Sequence, residues 1–340
     1  AFSQAPTTPP SQSSILTGLY PTSHGMILDT DTLVAERTTM AEVLQANGYQ
    51  TAAFVDGGYL RARWGIDQGF DTFIDAKGKG LEVIGPQVTT WLNSRNEQHP
   101  FLLLIHTYDA HTPYNSPEPF RSRFASAKMS PNPGFEATAA QMEGVRMQLW
   151  SDKAAGLSEN DLQAAVAWYD GGISYIDNWF GDFLDELNNA GLLESSIIIL
   201  ISDHGEAFQE SGSLLHERLL STVTHIPLII KTPTDVDGGV VESTVQSIDI
   251  MPTVLDLTGL AHPESLQGRS LVPLMMGKSV DSRLAFGESP FWGGRSFVAD
   301  ERYQLILHES SGKAELYQYR LDPTAQAELS EVSPKVVARM

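Results

Sequence analysis

The chain has 340 residues, 41% of them hydrophobic and 19% charged, with no cysteine and a formal net charge of −20. This length fits one large domain, or one domain with a modest lobe, and the composition can bury a sizeable core. The negative charge argues against broad nucleic-acid binding and against a polybasic membrane anchor. The absence of cysteine excludes disulfides, thiolate metal sites and a cysteine nucleophile. No apolar run reaches the roughly 18 residues that a membrane-spanning helix needs.

Short apolar runs alternate with helical periods through most of the chain, which is typical of an α/β domain. Thr39 and Glu42 fit a capping box at the start of a helix, and a long helical period covers about 160–189. Buried-strand patterns occur at 51–55, 101–105, 196–201 and 227–230, and a further helix begins at Asp249. The sequence therefore predicts a large mixed, mostly parallel sheet flanked by helices on both faces.

The character of the sequence changes after about residue 285. Short runs at 295–298, 304–308 and 315–319 are separated by turn residues, which predicts a small antiparallel lobe. We therefore predict a main α/β domain over residues 1–285 and a small C-terminal α+β subdomain over 286–340. A Pro- and Ser-rich stretch at 112–134 is predicted to be a surface excursion of the main domain and not a linker.

Polar residues follow two of the predicted strands, where ligands collect in open α/β sheets. Asp203 and His204 come directly after the strand 196–201, and an Asp–His pair there suits a divalent cation. The alternative is a plain turn with a capping aspartate. His106 and His111 follow the strand 101–105; His106 is favoured as a core histidine, and His111, farther into the loop, is the better functional candidate.

Two further candidates lie elsewhere in the sequence. His216 follows Asp203 after a flexible stretch, and taken alone such a histidine is more often a surface residue than a catalyst. The N-terminal segment is rich in hydroxyl groups and is stiffened by proline before a helical start. A hydroxyl there, such as that of Thr8, could meet an anion or act as a nucleophile, or it could be an ordinary helix cap.

Taken together, these segments resemble the sulfatase family of the alkaline-phosphatase-like superfamily. The stretch from Thr8 to Gly25 is similar to the family's signature, in which Cys or Ser is followed by x-Pro-Ser-Arg and then by Leu-Thr-Gly-Arg. Further likenesses occur in the family's order and cover nearly the whole chain: Gly65–Phe73, Tyr108–Tyr114, Ser202–Glu206, Ser247–Asp256, Gln267–Leu274 and Glu315–Pro323. The resemblance implies a sulfatase-like α/β catalytic domain with a small C-terminal subdomain.

The resemblance also implies roles for individual residues. Thr8 takes the position of the nucleophile, which would attack sulfur in line. The resemblance also places Thr8 at the metal. Asp203 and His204 take metal-ligand positions. His111 takes the position of the histidine that contacts the ester and protonates the leaving oxygen, and His216 faces the sulfate oxygens. Gln12 takes the position of the signature arginine and is expected at the substrate.

The sequence departs from the family pattern at several points. The family nucleophile is a formylglycine made from Cys or Ser, and Thr8 cannot become one by that route. Asp56, Gly57 and Gly58 stand where many members carry Lys-x-His. Members also open with a strand that ends in aspartate metal ligands, and this sequence starts after that element. We therefore expect an N-terminally truncated sequence that binds metal weakly.

Three functions follow from these observations. The first is a metal-dependent sulfatase, arylsulfatase-like, that hydrolyses a small sulfate ester with Ca²⁺, Mn²⁺ or Mg²⁺, with Zn²⁺ a further option. The second is a phosphodiesterase, or a phosphoethanolamine or glycerol-phosphate transferase, that uses the Thr8 alkoxide. The third is an inactive remnant that binds an anion. An upstream export signal would place the protein in the periplasm or outside the cell; without one, it would be cytoplasmic.

Overall fold

The computed structural model describes residues 1–151, 155–233, 238–291 and 293–340. The helices of these residues are α1 (Thr8–Thr17), α2 (Pro21–His24), α3 (Met40–Ala46), α4 (Gly80–Ser94), α5 (Ala139–Ser151), α6 (Glu159–Asn189), α7 (Ser221–Thr224), α8 (Ile250–Thr258), α9 (Val272–Met275) and α10 (Pro334–Arg339). The strands are β1 (Gln50–Val55), β2 (Thr72–Asp75), β3 (Phe101–Ile105), β4 (Ile198–Ile201), β5 (Ala207–Phe208), β6 (Leu214–Leu215), β7 (Leu228–Lys231), β8 (Ala285–Ser289), β9 (Arg295–Ala299), β10 (Gln304–His308) and β11 (Ala314–Tyr317).

The predicted α/β class is confirmed by this alternation of helices and strands. Strands β2, β1 and β3 form a parallel sheet in that order, with Ala52 opposite Thr72 on one side and Leu103 on the other. The capping box predicted at Thr39 and Glu42 is present and starts α3. Helix α6 covers the predicted helical period, and with α4 it packs on the sheet through a cluster that includes Phe54.

The hydrogen-bonded ladders differ from the single large sheet that the sequence predicts. Strand β4 pairs antiparallel with β7 and, among the described residues, forms no ladder with β3. Side chains of both strands, including Leu102 and Ile199, nevertheless pack on a common apolar cluster with α8. Within the ranges that the structure describes, β3 pairs only with β1 and β4 only with β7. The apolar residues of both strands are half-buried, although their sequence pattern predicts full burial.

Helix α1 is unusual because it is polar and yet completely buried. A buried polar side chain is stable only when it is hydrogen-bonded. Ser11 donates to the backbone carbonyl of Asp203 over 2.5 Å and lies 2.9 Å from the hydroxyl of Ser3, and Thr17 donates to the carbonyl of Ser13. The bond from Ser11 to Asp203 holds the first turn of α1 against the residues that follow β4.

The C-terminal strands form the predicted antiparallel sheet, in the order β11-β10-β9-β8. Its first strand begins at Ala285, and its inner face buries Phe297 and Ile306 against Phe2, Leu219 and Leu220. The N-terminal residues of the chain therefore belong to the same apolar core as this sheet. In the part of the chain that the structure describes, no helix combines the length and the apolar character that a bilayer crossing requires.

Candidate active site

Thr8 stands at the first position of α1 and is 4% exposed. The preceding Thr7 has extended backbone, and Pro9 and Pro10 occupy the first turn, where a missing N–H costs the helix nothing. The hydroxyl oxygen of Thr8 lies 3.2 Å from Nε2 of His204, which is 196 positions away in sequence. The amino end of the chain and the turn after β4 thus meet at one point.

The turn after β4 is shaped by a close approach of two backbone segments. The N–H of Gly205 donates to the carbonyl of Val223 over 2.7 Å. A Cβ at Gly205 would lie 2.2 Å from the carbonyl oxygen of Thr222, a distance that no side chain tolerates. Glycine is required here because of this contact, and the contact directs the side chains of Asp203 and His204 toward α1.

The hydrogen bonds of His204 define its tautomer. Its Nδ1 lies 2.9 Å from the carbonyl of Gly205, and a carbonyl can only accept, so Nδ1 carries the proton. The lone pair of Nε2 therefore faces the hydroxyl of Thr8 and can accept its proton. An imidazole nitrogen held in this way is also the usual form of a histidine that binds a metal ion.

His216 and His111 complete a cluster of three imidazoles around this point. The ring of His216 lies 4.4 Å from that of His204 and 5.0 Å from that of His111, between ring centroids. The rings of His111 and His204 are 6.5 Å apart. Nδ1 of His216 contacts Oε1 of the buried Glu206 at 3.1 Å. His216 is therefore not the surface residue that such a histidine, taken alone, would more often be: it is largely buried and paired with a carboxylate.

The ionisation of the cluster follows from burial and from neighbouring charge. Burial alone would lower the pKa of His216, but the negative charge and hydrogen bond of Glu206 raise it above the ordinary value. Burial and the nearby His216 lower the pKa of His111. Burial would raise the pKa of Asp203, but His204 and His106 hold it below its usual range. These shifts favour the charged form of His216 and the neutral form of His111.

The cluster opens into a cavity of about 950 Å³. Thr8, His111 and His216 line it, together with the loop after β3, the start of α4 and one face of α5. Aromatic side chains on its walls include Tyr59, Tyr108 and Phe291. This volume accommodates a small organic ester with its reacting group at the imidazole cluster.

The predicted metal ligands fit a cation in part. Oδ2 of Asp203 is a buried oxygen without a hydrogen-bond partner in the described residues, and it lies 3.7 Å from Nε2 of His204. A carboxylate oxygen, an imidazole nitrogen and the Thr8 hydroxyl are suitable donors for Ca²⁺, Mg²⁺, Mn²⁺ or Zn²⁺. Within the described ranges, however, no three Asp, Glu, His or Cys side chains converge as a metal site does. Among the described residues, the donor set for a cation is therefore incomplete.

The structure thus brings Thr8, His111, Asp203, His204 and His216 together. Gln12 lies one turn farther along α1, is 7% exposed and does not line the cavity, so its role at the substrate stays a prediction.

Two residues that the sequence analysis did not single out belong to the site. Glu206 pairs with His216, and Asp29 lines the cavity close enough to His216 and His204 for their charges to act on its carboxyl group. Glu206 stands three positions after Asp203, in the turn that the sequence already marks as a candidate metal site. This position is the sequence signal that could have identified Glu206. Asp29 lies in an irregular loop that carries no pattern. Burial raises its pKa.

This fold and cluster define an α/β protein with a buried hydroxyl at a helix start and imidazoles around it. Comparison with known families identifies the group. The profile of the Sulfatase family matches residues 1–260, which is more than half of the chain. The profile of N-sulphoglucosamine sulphohydrolase, C-terminal, matches residues 214–336. The chain belongs to the sulfatase family.

Curated relatives agree with this assignment at low identity. The chain is 25% identical to an ulvan-active sulfatase of Formosa agariphila, over 86% of this chain and 61% of the relative. It is 23% identical to arylsulfatase K of Mus musculus, over 99% of this chain and 70% of the relative. The chain thus spans between three fifths and about seven tenths of the length of these two relatives.

Solved structures support the fold. A protein solved with its substrate D-glucosamine-2-N,6-O-disulfate superposes with a TM-score of 0.80 at 19% identity, covering 99% of this chain and 87% of that one. A phosphonate monoester hydrolase from Silicibacter pomeroyi superposes with a TM-score of 0.75 at 21% identity, covering 99% and 86%. Both sulfate-ester and phosphonate chemistry therefore occur on this architecture.

Proposed function

We propose that the protein hydrolyses a small sulfate ester by in-line attack of Thr8 on sulfur. The observation that carries this proposal is the contact between the Thr8 hydroxyl and Nε2 of His204, with His111 and His216 beside it. A nucleophile within hydrogen-bond reach of a base, next to a charged imidazole, is the arrangement that this transfer needs. Membership of the sulfatase family supports the choice of sulfate.

The steps assigned to the chain's own residues are as follows. The Thr8 oxygen forms a bond to sulfur while its proton passes to Nε2 of His204. The bond between sulfur and the ester oxygen breaks on the opposite side, and the leaving oxygen takes a proton from an imidazolium. Water then attacks sulfur as the bond between sulfur and the Thr8 oxygen breaks. The Thr8 oxygen takes back the proton held by His204, one proton of the water passes to the imidazole that protonated the leaving oxygen, and hydrogen sulfate leaves and gives up its proton to solvent.

The identity of the proton donor is a choice between two imidazoles. The family resemblance assigns that role to His111. The Nδ1 proton of His111 is held by the carbonyl of Thr112 at 2.8 Å, and burial lowers the pKa of its ring. His216 is kept charged by Glu206. We therefore propose that His216 supplies the proton, or offsets charge on the sulfate oxygens, while His111 positions the ester.

Turnover of matched aryl esters tests this function. The protein should release 4-nitrophenol from 4-nitrophenyl sulfate, and Thr8→Ala should abolish the release. The matched substrates are 4-nitrophenyl phosphate, bis(4-nitrophenyl) phosphate and a 4-nitrophenyl phosphonate. Faster turnover of any of these than of the sulfate would overturn the assignment to sulfate.

A phosphoester hydrolase or transferase is the second candidate, and Thr8 itself favours it. Threonine cannot become formylglycine by the family's route, and phosphonate monoester hydrolases share the fold. A threonine alkoxide that attacks phosphorus would leave a phosphothreonine. Mass spectrometry of the peptide that contains Thr8, after incubation with bis(4-nitrophenyl) phosphate, would detect an adduct of phosphate mass under this second function.

We further propose that a divalent cation binds at Oδ2 of Asp203 and the Thr8 hydroxyl. Nε2 of His204 serves either as the base for Thr8 or as a third ligand of the ion, because its single lone pair cannot do both. Ca²⁺, Mn²⁺ or Mg²⁺ suits these donors, and when bound such an ion would offset charge on the ester oxygens.

A further inference from the structure

The wall of the cavity is strongly acidic beyond the imidazole cluster. Its lining carries six carboxylates, those of Asp29, Asp56, Glu82, Asp109, Glu143 and Glu217. Two permanently cationic side chains, Lys79 and Arg146, line the same cavity. A pocket that binds polyanionic esters would need the opposite balance, because charges of one sign on its walls repel a ligand of that sign.

The fixed cations do not neutralise this wall. Arg146 is shared between Glu143 and Glu217, so one positive charge faces two negative charges. Asp56 accepts a hydrogen bond from the N–H of Gly80, and Asp109 accepts one from the N–H of Leu81, both over 2.8 Å. Amide donors stabilise a carboxylate without cancelling its charge, so both aspartates remain sources of negative potential.

Another feature of the cavity suits a cationic ligand independently of the total charge. Tyr59, 49% exposed, and Phe291 lie on the same walls, and aromatic faces attract ammonium groups. The acidic wall thus combines carboxylates with aromatic surface.

We infer that the cavity selects sulfate esters whose organic part carries an amine or quaternary ammonium group and rejects esters with a second anionic group. This inference rests on the proposed function for the identity of the reacting group. The single sulfate occupies the imidazole end, beside Thr8 and His216. The remainder of the substrate extends along the carboxylates at the start of α4 and on α5.

A charge series with one leaving group tests the inference. The probes are tyramine O-sulfate, 4-(2-hydroxyethyl)phenyl sulfate and the O-sulfate of 4-hydroxyphenylacetate, which are cationic, neutral and anionic at the remote end. At low ionic strength kcat/KM should fall in that order, by about tenfold from the first to the last, and added salt should narrow the range. Equal values, or a preference for the anionic ester, would overturn the inference.

Glu82→Gln provides the variant. Glu82 is exposed in the first turn of α4, lines the cavity and is not part of the catalytic cluster. Its removal should reduce the ratio of kcat/KM for the cationic ester to kcat/KM for the neutral ester about twofold to threefold. The matched control is Glu97→Gln, at an exposed position outside the cavity, which should leave the preference unchanged. An unchanged preference in Glu82→Gln would contradict a role for this wall.

Binding separates this inference from the proposed function. Calorimetry gives Kd for the same three esters whether or not they are cleaved. Ordered affinities without turnover would remove the proposed hydrolysis and retain the charge selectivity. Turnover without ordered affinities or rates would retain the proposed hydrolysis and remove the charge selectivity. The absence of both binding and turnover would overturn both proposals.

Discussion

Oε1 of Glu206 lies 3.1 Å from Nδ1 of His216, and both side chains are enclosed by the protein. The carboxylate fixes the orientation of the ring and directs its Nε2 away from Glu206. Since Glu206 also raises the pKa of His216, the pair keeps one positive charge beside Thr8 and His111. This relationship makes Glu206 a positioning residue for the proposed reaction.

Glu206→Gln should separate orientation from charge. The amide oxygen can still accept from Nδ1, but the negative charge is lost, so the pKa of His216 falls. Because activity requires charged His216, it declines as pH rises through that pKa, and the alkaline limb of kcat should move to lower pH. We expect kcat at neutral pH to fall about 10- to 100-fold. The kcat of Glu206→Ala at neutral pH should fall further. Identical pH profiles for wild type and Glu206→Gln would contradict this role of Glu206.

Removal of the Thr8 hydroxyl should abolish the chemistry and leave the fold intact. Thr8→Ala loses the nucleophile, and we expect kcat to fall about 10³-fold or more. Thr8→Ser keeps an oxygen at the same place and is the matched control, expected within about tenfold of the wild type. Circular dichroism would show whether both variants are folded. Wild-type turnover by Thr8→Ala would exclude Thr8 as the nucleophile.

Gly205→Ala should destabilise the protein, because the new Cβ would meet the carbonyl of Thr222 at 2.2 Å. Overpacking against backbone costs about 1–3 kcal/mol. The free energy of unfolding from urea titration would measure this loss. Gly181→Ala, at a helical glycine with open space around it, is the control and should not be destabilising. A stable Gly205→Ala variant would show that the turn after β4 can move.

His24 should make the protein less stable in acid. It is completely buried, and burial lowers its pKa to about 4, whereas in the unfolded chain its pKa stays near the ordinary value of 6.5. The unfolded state therefore binds the proton first. The stability that His24 contributes is present above pH 6.5 and is lost as pH falls toward 4, by about 3 kcal/mol in total.

The pH dependence of unfolding tests this contribution. His24→Gln should flatten the slope of stability between pH 6.5 and 4, whereas His99→Gln, at an exposed position, should leave it unchanged. The same slope in all three proteins would mean that other groups control acid stability.

The metal should bind weakly to the chain as it stands, because Asp203 and His204 supply two strong ligands. We expect Kd for Mn²⁺ or Ca²⁺ of about 10⁻⁴ M or weaker by calorimetry, and no detectable binding to Asp203→Asn. Asp281→Asn, at an exposed position away from the site, serves as control. Binding that survives in Asp203→Asn would locate the ion elsewhere.

The sequence by itself determined local structure wherever local forces control it. Periodicity and capping predicted α3, β1, α6 and the antiparallel C-terminal strands, because these signals lie within a few neighbouring residues. The order of motifs identified the family and placed Thr8, His111, Asp203, His204 and His216 on one list of candidates. The helices and strands needed only the residue types and their spacing along the chain, whereas the list of site residues needed the resemblance to a known family.

Tertiary structure alone decided which charges meet. The pairing of Glu206 with His216, the field of both on His111, and the position of Asp29 depend on contacts between segments that lie far apart in sequence. The half-burial of β3 and β4 likewise does not follow from their apolar pattern. Electrostatic interaction and burial depend on distance in space, and local spacing carries no information about that distance.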